Sequence, residues 1–273
     1  MATENRDEPG GTPALQLHDG VVCLFDVLGY TSLAENAEID YAVHVVLDLL
    51  TKMPDEVAAE TVRLATDEGV RKALSGFFDM VLRFVYSDTV VLSLSPPLGK
   101  QSALWFLFLH MCALFQARMF ENGLPVRGAI AVGPQYVSDK CFVGKAIVDA
   151  YNLARRTDWS GCVLHPSAVA LLEQLREPPV DDPQGYANIV FGTVVQKYLV
   201  PMKAGDSERL YCVNWPRTVK GLSAVNVRQL VIESFQKHSK DLTPREHTKL
   251  TNTELFMSLC MAQTPKSDAS RQA

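Results

Sequence analysis

Two signals that often identify a protein at sight are missing from this chain: paired cysteine spacing and a long uncharged apolar run. Its six cysteines (Cys23, Cys112, Cys141, Cys162, Cys212 and Cys260) stand singly, mostly within apolar stretches, with no CxxC or Cys/His ligand spacing. That excludes a zinc-ribbon or disulfide scaffold and reads as reduced, buried thiols of a cytoplasmic protein. The longest apolar run, Ala103 to Phe115, is broken by His110 and falls short of the ~20 residues that cross a bilayer, so no membrane span is expected. Positive charge is not in excess either: 26 Lys and Arg against 31 Asp and Glu give a net charge of −5. Without a broad basic field the chain is not expected to bind nucleic acid, and any nucleotide site must gather its cations locally. His44, His110, His165, His238 and His247 show no metal-ligand spacing. Gly144-Lys145 is not a P-loop, because Asp139 stands where the preceding glycine is required and Ala146 follows the lysine.

What is present is a chain of 273 residues, 47% apolar, long enough to bury a large core. The polar ends, 1–15 and 263–273, read as disordered tails. Gly20 to Phe25 reads as a strand, Gly29 permits a turn, and Ser32-x-x-Glu35 has the form of a capping box. Ile39, Val43, Val46, Leu47 and Leu50 then recur at helical spacing, which predicts a helix face docked on a sheet. Shorter helices follow over 54–76. The runs Met80–Tyr86 and Thr89–Ser95, separated only by Ser87-Asp88, form a hairpin. Pro96-Pro97 ends it, Ser102–Phe120 is a buried helix, and Val126–Val132 is a strand closed by a turn at Gly133-Pro134. A helix from Ala146 to Thr157, a short strand Cys162–Leu164, a helix to Leu175, and late strands over Asn188–Leu199 and Leu210–Trp215 complete the alternation. Residues 218–262 read as a helical C-terminal extension of a domain spanning 16–217. A hairpin inserted between helices fits a ferredoxin-like α+β sandwich better than a doubly wound parallel sheet.

Asp26 closes the run Val21–Phe25, and Asp88 sits at the hairpin tip. Taken alone, the first also fits a strand end and the second an ordinary Ser-Asp turn. Together, on neighbouring strands, they form a platform on which carboxylates can hold divalent cations. Gly29-Tyr30-Thr31 precede a helix start, where free N–H groups favour phosphate. Asn152 and Arg156 stand four apart and share a helix face. Asn is a poor mid-helix residue, so its presence invites a polar role: an amide to orient a sugar, beside a guanidinium for a phosphoryl group.

These residues resemble the class III nucleotidyl cyclases. Asp26-Val-Leu-Gly-Tyr-Thr-Ser-Leu33 is similar to their first metal motif, and Tyr86-Ser-Asp88 falls where their second metal Asp occupies a hairpin tip. Val126-Arg-Gly-Ala-Ile-Ala-Val-Gly133 is similar to their Arg-x-Gly-Ile strand, and Asn152 with Arg156 matches their Asn-x-x-x-Arg pair. The resemblance covers roughly residues 20 to 215. The purine-reading groups of such enzymes are absent: Phe84 and Lys145 occupy the base-selecting positions. In that respect the chain looks more like the bacterial pyrimidine cyclases of Pycsar antiphage defence.

The resemblance implies two Mn²⁺ or Mg²⁺ ions per site held by Asp26, Asp88 and the Val27 carbonyl, with Gly29, Tyr30, Thr31 and Lys203 toward the phosphates. Asn152 would orient the ribose and Arg156 would stabilise the reacting phosphorus. It also implies a homodimer, with acids from one subunit facing the Asn/Arg pair of the other. UTP would yield cyclic UMP, a diffusible signal read by a downstream effector. The alternatives are a cytidylate cyclase making cyclic CMP, a cyclase-like module that binds nucleotide without turnover, and a polymerase-like palm making oligonucleotides.

Overall fold

The structure, a computed structural model, describes residues 18–94, 102–138, 141–174, 193–239 and 242–263. At its centre runs β1 (His18–Val27), flanked by β3 (Thr89–Leu94) and β4 (Val126–Ser138), both antiparallel to it. Because both faces of this middle strand are covered, Val21 to Phe25 are buried without alternation. Phe25 meets Phe115 of α5 (Ser102–Glu121) with ring centroids 4.9 Å apart. The opposite face is covered by α6 (Lys145–Arg156), through buried Ala146, Ala150, Leu153 and Ala154.

Between β1 and the hairpin lie α1 (Tyr30–Asn36), α2 (Ile39–Val46), a π-helical turn, α3 (Lys52–Leu64) and α4 (Glu68–Met80). The hairpin of β2 (Val81–Tyr86) and β3 pairs at the sheet edge, giving the order β2-β3-β1-β4 with antiparallel neighbours. That is the ferredoxin-like βαββαβ arrangement in an α+β protein. Beyond β4 the sheet continues through β6 (Cys162–Leu164), parallel to β4, and the hairpin of β7 (Val195–Pro201) and β8 (Ser207–Val213). The short β5 (Cys141–Gly144) pairs only with the far half of β4. After α7 (Pro166–Gln174) and the late hairpin come α8 (Val227–Gln236) and α9 (Pro244–Ala262), whose Val231, Phe235, Phe256, Met257 and Cys260 join the same core.

Several sequence expectations shift. Ser32 does not cap a helix: α1 begins two residues earlier, with left-handed Gly29 (φ 76°) at its N-cap, so Ser32 lies inside it. The helix expected to run on through Ile39 breaks after Asn36, and Ile39 and Val43 are exposed while Ala42 and Leu50 are buried. Gly133-Pro134 does not turn the chain; β4 continues to Ser138, and Pro134 pairs with Asp19 one residue before β5 begins pairing on the other flank. Met80 ends α4 instead of starting β2. Leu175, the segment Ser95–Pro97, residues 188–192 of the expected late strand, and most of both tails lie outside the described residues. Among the described residues no helix is long and apolar enough to cross a membrane.

Candidate functional site

Asp26 is the last polar residue of β1, paired with Thr89 on one side and Arg127 on the other. Residues directly opposite in an antiparallel pair project from the same face, so register alone brings the Arg127 guanidinium to the Asp26 carboxylate. Arg127 Nε donates to Asp26 Oδ2 at 2.8 Å, with the two side chains only 14% and 21% exposed. The neighbouring Gly128 has a packing reason: a Cβ there would lie 2.6 Å from the Leu24 carbonyl oxygen and 2.7 Å from the Phe25 ring.

Asp88 reaches the same spot from the hairpin tip. The turn is only Ser87-Asp88, with Tyr86 paired to Thr89, and it closes because Ser87 adopts φ 53°, in the left-handed region. The tip is tied down where the Val27 N–H donates to the Asp88 carbonyl at 3.0 Å. Burial, and next the negative charge of Asp26 close beside it, push the Asp88 carboxyl above the usual carboxylate range, with Arg127 offsetting only part. Two carboxylates in mutual repulsion at one end of the sheet's inner strands suit hard divalent cations with oxygen ligands. The residues therefore fit Mg²⁺ or Mn²⁺, although no group of three or more candidate metal ligands occurs among the described residues.

A cleft of about 480 Å³ opens over the two acids, within the range of small-molecule sites. Val27, Gly29, Tyr30 and Thr31 line one side, the last three as the left-handed N-cap and first residues of α1. Lys203 enters from the β7–β8 turn, where its N–H donates to the Arg156 carbonyl at 2.8 Å. Burial, then the charges of Arg127, Arg245 and Lys249, push the Lys203 ammonium down to about 8, and Asp158 offsets only part of this. Four cations (Arg127, Lys203, Arg245 and Lys249) thus share the cleft with four carboxylates (Asp26, Glu35, Asp88 and Glu246).

The other sequence candidates lie elsewhere. Asn152 and Arg156 are exposed on α6 and do not line this cleft; Arg156 is ion-paired with Glu208 of β8. One residue back, Tyr151 and Arg155 line a smaller cavity of about 170 Å³ with Asp26, Thr89 and Arg127. Phe84 stacks on Phe142 at 5.6 Å, and Lys145 is bound to Asp149 at 2.6 Å. The structure therefore brings together Asp26, Val27, Asp88, Gly29, Tyr30, Thr31 and Lys203 within one chain, and leaves Asn152, Arg156, Phe84 and Lys145 outside the cleft. Sequence reasoning missed Arg127, although it sits in a quoted motif, because only register reveals its partner. It also missed Arg155, Arg245 and Lys249.

At the level of sequence, no protein family and no curated protein matches the chain. Among solved structures, it is similar to the guanylyl cyclase Cya2, with a TM-score of 0.47 and 13% identity over 73% of this chain and 93% of that one. It is also similar to the catalytic core of a rhodopsin-guanylyl cyclase with converted specificity in complex with ATPαS, with a TM-score of 0.45 and 12% identity over 72% of this chain and 95% of that one.

Proposed function

We propose that the chain is a nucleotidyl cyclase of the class III type, acting on a pyrimidine triphosphate, with UTP favoured. The observation that carries this reading is the carboxylate pair Asp26/Asp88 at the end of β1 and the tip of the hairpin, with Arg127 and Lys203 beside it in a nucleotide-sized cleft. Acids alone would suit any metal; acids ringed by cations suit a metal-bound polyphosphate.

The reaction needs no protein nucleophile. The ribose 3′-oxygen attacks the α-phosphorus, the bond to the β-phosphate oxygen breaks, and pyrophosphate leaves as the 3′,5′-cyclic ester closes. Two divalent cations held by Asp26, Asp88 and the Val27 carbonyl would promote 3′-hydroxyl ionisation and neutralise the triphosphate. Arg127 and Lys203 hold phosphate oxygens, with the turn at Gly29, Tyr30 and Thr31 against them. Asn152 orients the ribose and Arg156 meets the charge that builds on the reacting phosphorus, a contribution of about 3 to 4 kcal/mol for a well-placed donor. Since both are exposed and lie off their own chain's cleft, they act on the cleft of a second copy, in a homodimer with two equivalent sites.

The pyrimidine preference is supported by what stands at the base-selecting positions. Phe84 is an aromatic stacked on Phe142, and Lys145 is engaged by Asp149. With no donor and acceptor set at these positions to read a purine edge, the site carries no group that selects adenine or guanine. In this reading the product is a diffusible second messenger of the kind used in antiphage signalling, with cyclic CMP as the alternative product. The test is incubation with each of the four nucleoside triphosphates and Mn²⁺ or Mg²⁺, with products identified by mass. Cyclic UMP and pyrophosphate are expected, both lost in Asp26→Ala. Product from ATP or GTP alone would end the pyrimidine assignment, and nucleotide binding without pyrophosphate release would point to a non-catalytic module.

A further inference from the structure

A carboxylate platform with Arg127 and Lys203 does not account for α9, whose N-terminal end enters the cleft. Arg245 and Lys249 stand four apart, so they share a helix face, and both line the cleft with Asp26, Asp88 and Lys203. Of the four cations there, two are matched: Arg127 by Asp26, and Lys249 by Glu246 at 2.9 Å. Lys203 and Arg245 have no ion-pair partner among the described residues. Arg127, Arg245 and Lys249 press on Lys203 although Glu35 and Glu246 also line the cleft, and the two cations without an ion-pair partner are the ones left to meet a ligand carrying several negative charges.

The helix is also firmly seated. Ser160 N–H donates to Thr253 Oγ1 at 2.8 Å, and Asn252 Nδ2 donates to the Asp158 carbonyl at 2.8 Å. Phe256 meets Trp159 edge-on at 4.5 Å and Tyr198 at 4.9 Å. Arg245 and Lys249 are therefore carried into the cleft on a docked element, not on a free tail.

We propose that the C-terminal helix is a fixed wall of the substrate site, with Arg245 and Lys249 gripping the terminal phosphates of a nucleoside triphosphate in the same chain that supplies Asp26 and Asp88. This rests on the nucleoside-triphosphate reading and adds to it a discriminator of phosphate number. The wall recognises polyphosphate whatever the base, so it separates triphosphate from monophosphate and holds the departing pyrophosphate.

The test uses the full chain, Mn²⁺ and three probes: an α,β-methylene UTP analogue, inorganic tripolyphosphate and UMP. Calorimetric titration of Arg245→Ala is expected to weaken both polyphosphates by about tenfold, the scale of one charge-assisted contact, and to leave UMP unchanged. Arg245→Lys is expected to keep most of the affinity. Arg245 is exposed, so the variant should melt as the parent does. Polyphosphate affinity equal to the parent's in Arg245→Ala, or an equal loss for UMP, would overturn the role of the helix. If the parent binds and cyclises triphosphate while Arg245→Ala is silent, only this inference falls. If the parent binds no polyphosphate with either metal, the reading of the site falls with it.

Discussion

At Asp88 the fold holds a carboxyl against its own preference. Its folded-state pKa is raised, so ionisation opposes folding: the stabilisation it gives is complete below the unfolded carboxylate range and is lost as pH rises through the folded value. At neutral pH, without metal, Asp88→Asn is therefore expected to raise the melting temperature. Discounted for the screening of a partly exposed group, the gain is about 1 to 2 °C. Adding Mn²⁺ with an α,β-methylene UTP analogue should reverse the order, stabilising the parent and not the variant, whose turnover should fall at least about 1000-fold. A variant that melts below the parent without ligand would show that the carboxylates do not repel. Lys203 carries the opposite sign. Its ammonium is held near 8 by burial and by Arg127, Arg245 and Lys249, against Asp158. The charged form binds phosphate, so kcat/KM for the triphosphate is expected to fall as pH rises through about 8, and Lys203→Arg should flatten that limb. That both acids meet at one spot could be read from motif and order, whereas Lys203 belonged to no motif and read equally as an exposed lysine of a late hairpin loop. Arg127 was not legible, because its pairing with Asp26 spans 101 residues and depends on strand register.

Among the elements that line the cleft, the hairpin, which brings Asp88, and α9, which brings Arg245, Glu246 and Lys249, differ in how they announce themselves. The hairpin is local: two β-rich runs and a polar dipeptide specify it, and left-handed Ser87 sets Asp88 at its tip. Seating α9 requires contacts across more than 90 residues, such as Thr253 with Ser160 and Asn252 with Asp158. Its sequence predicts a helix but not the wall it packs on. Phe256 is fully buried at the junction with Trp159 and Tyr198. Phe256→Ala is expected to cost about 3 to 5 kcal/mol by denaturant unfolding, as for large-to-small changes in a packed core. If α9 frayed freely from the rest, the loss would be far smaller. The breaks misread from sequence have a common cause. Gly133-Pro134 scans as a turn, yet the pairing of β1 and β4 carries the strand through it, and Ser32 scans as a cap where Gly29 already supplies the left-handed start.

For the whole molecule, the ferredoxin-like order was legible because each strand and helix has its own pattern and a hairpin between helices admits few topologies. Which copy supplies which half of the site depends on assembly, and that is open to direct test. Asp26→Ala and Arg156→Ala chains should each be inactive. Mixed in equal amounts and allowed to exchange, they are expected to recover up to about a quarter of parental activity, since half the dimers then carry one intact site of two. If the working guanidinium is instead Arg155, beside Asp26 in its own chain, Arg156→Ala stays active by itself, and Arg155→Ala abolishes turnover with no recovery on mixing with Asp26→Ala. The Arg127–Asp26 ion pair has a consequence for how such an assembly loads. A bare ion meets an oxygen already engaged by a guanidinium, and a bare triphosphate meets a guanidinium already engaged by an oxygen. Only when both arrive does each release the other's contact, so the pocket works as a coincidence gate. Titrations should find the affinity for Mn²⁺ rising when the non-cleavable nucleotide is present, and the nucleotide's rising by the same factor with Mn²⁺.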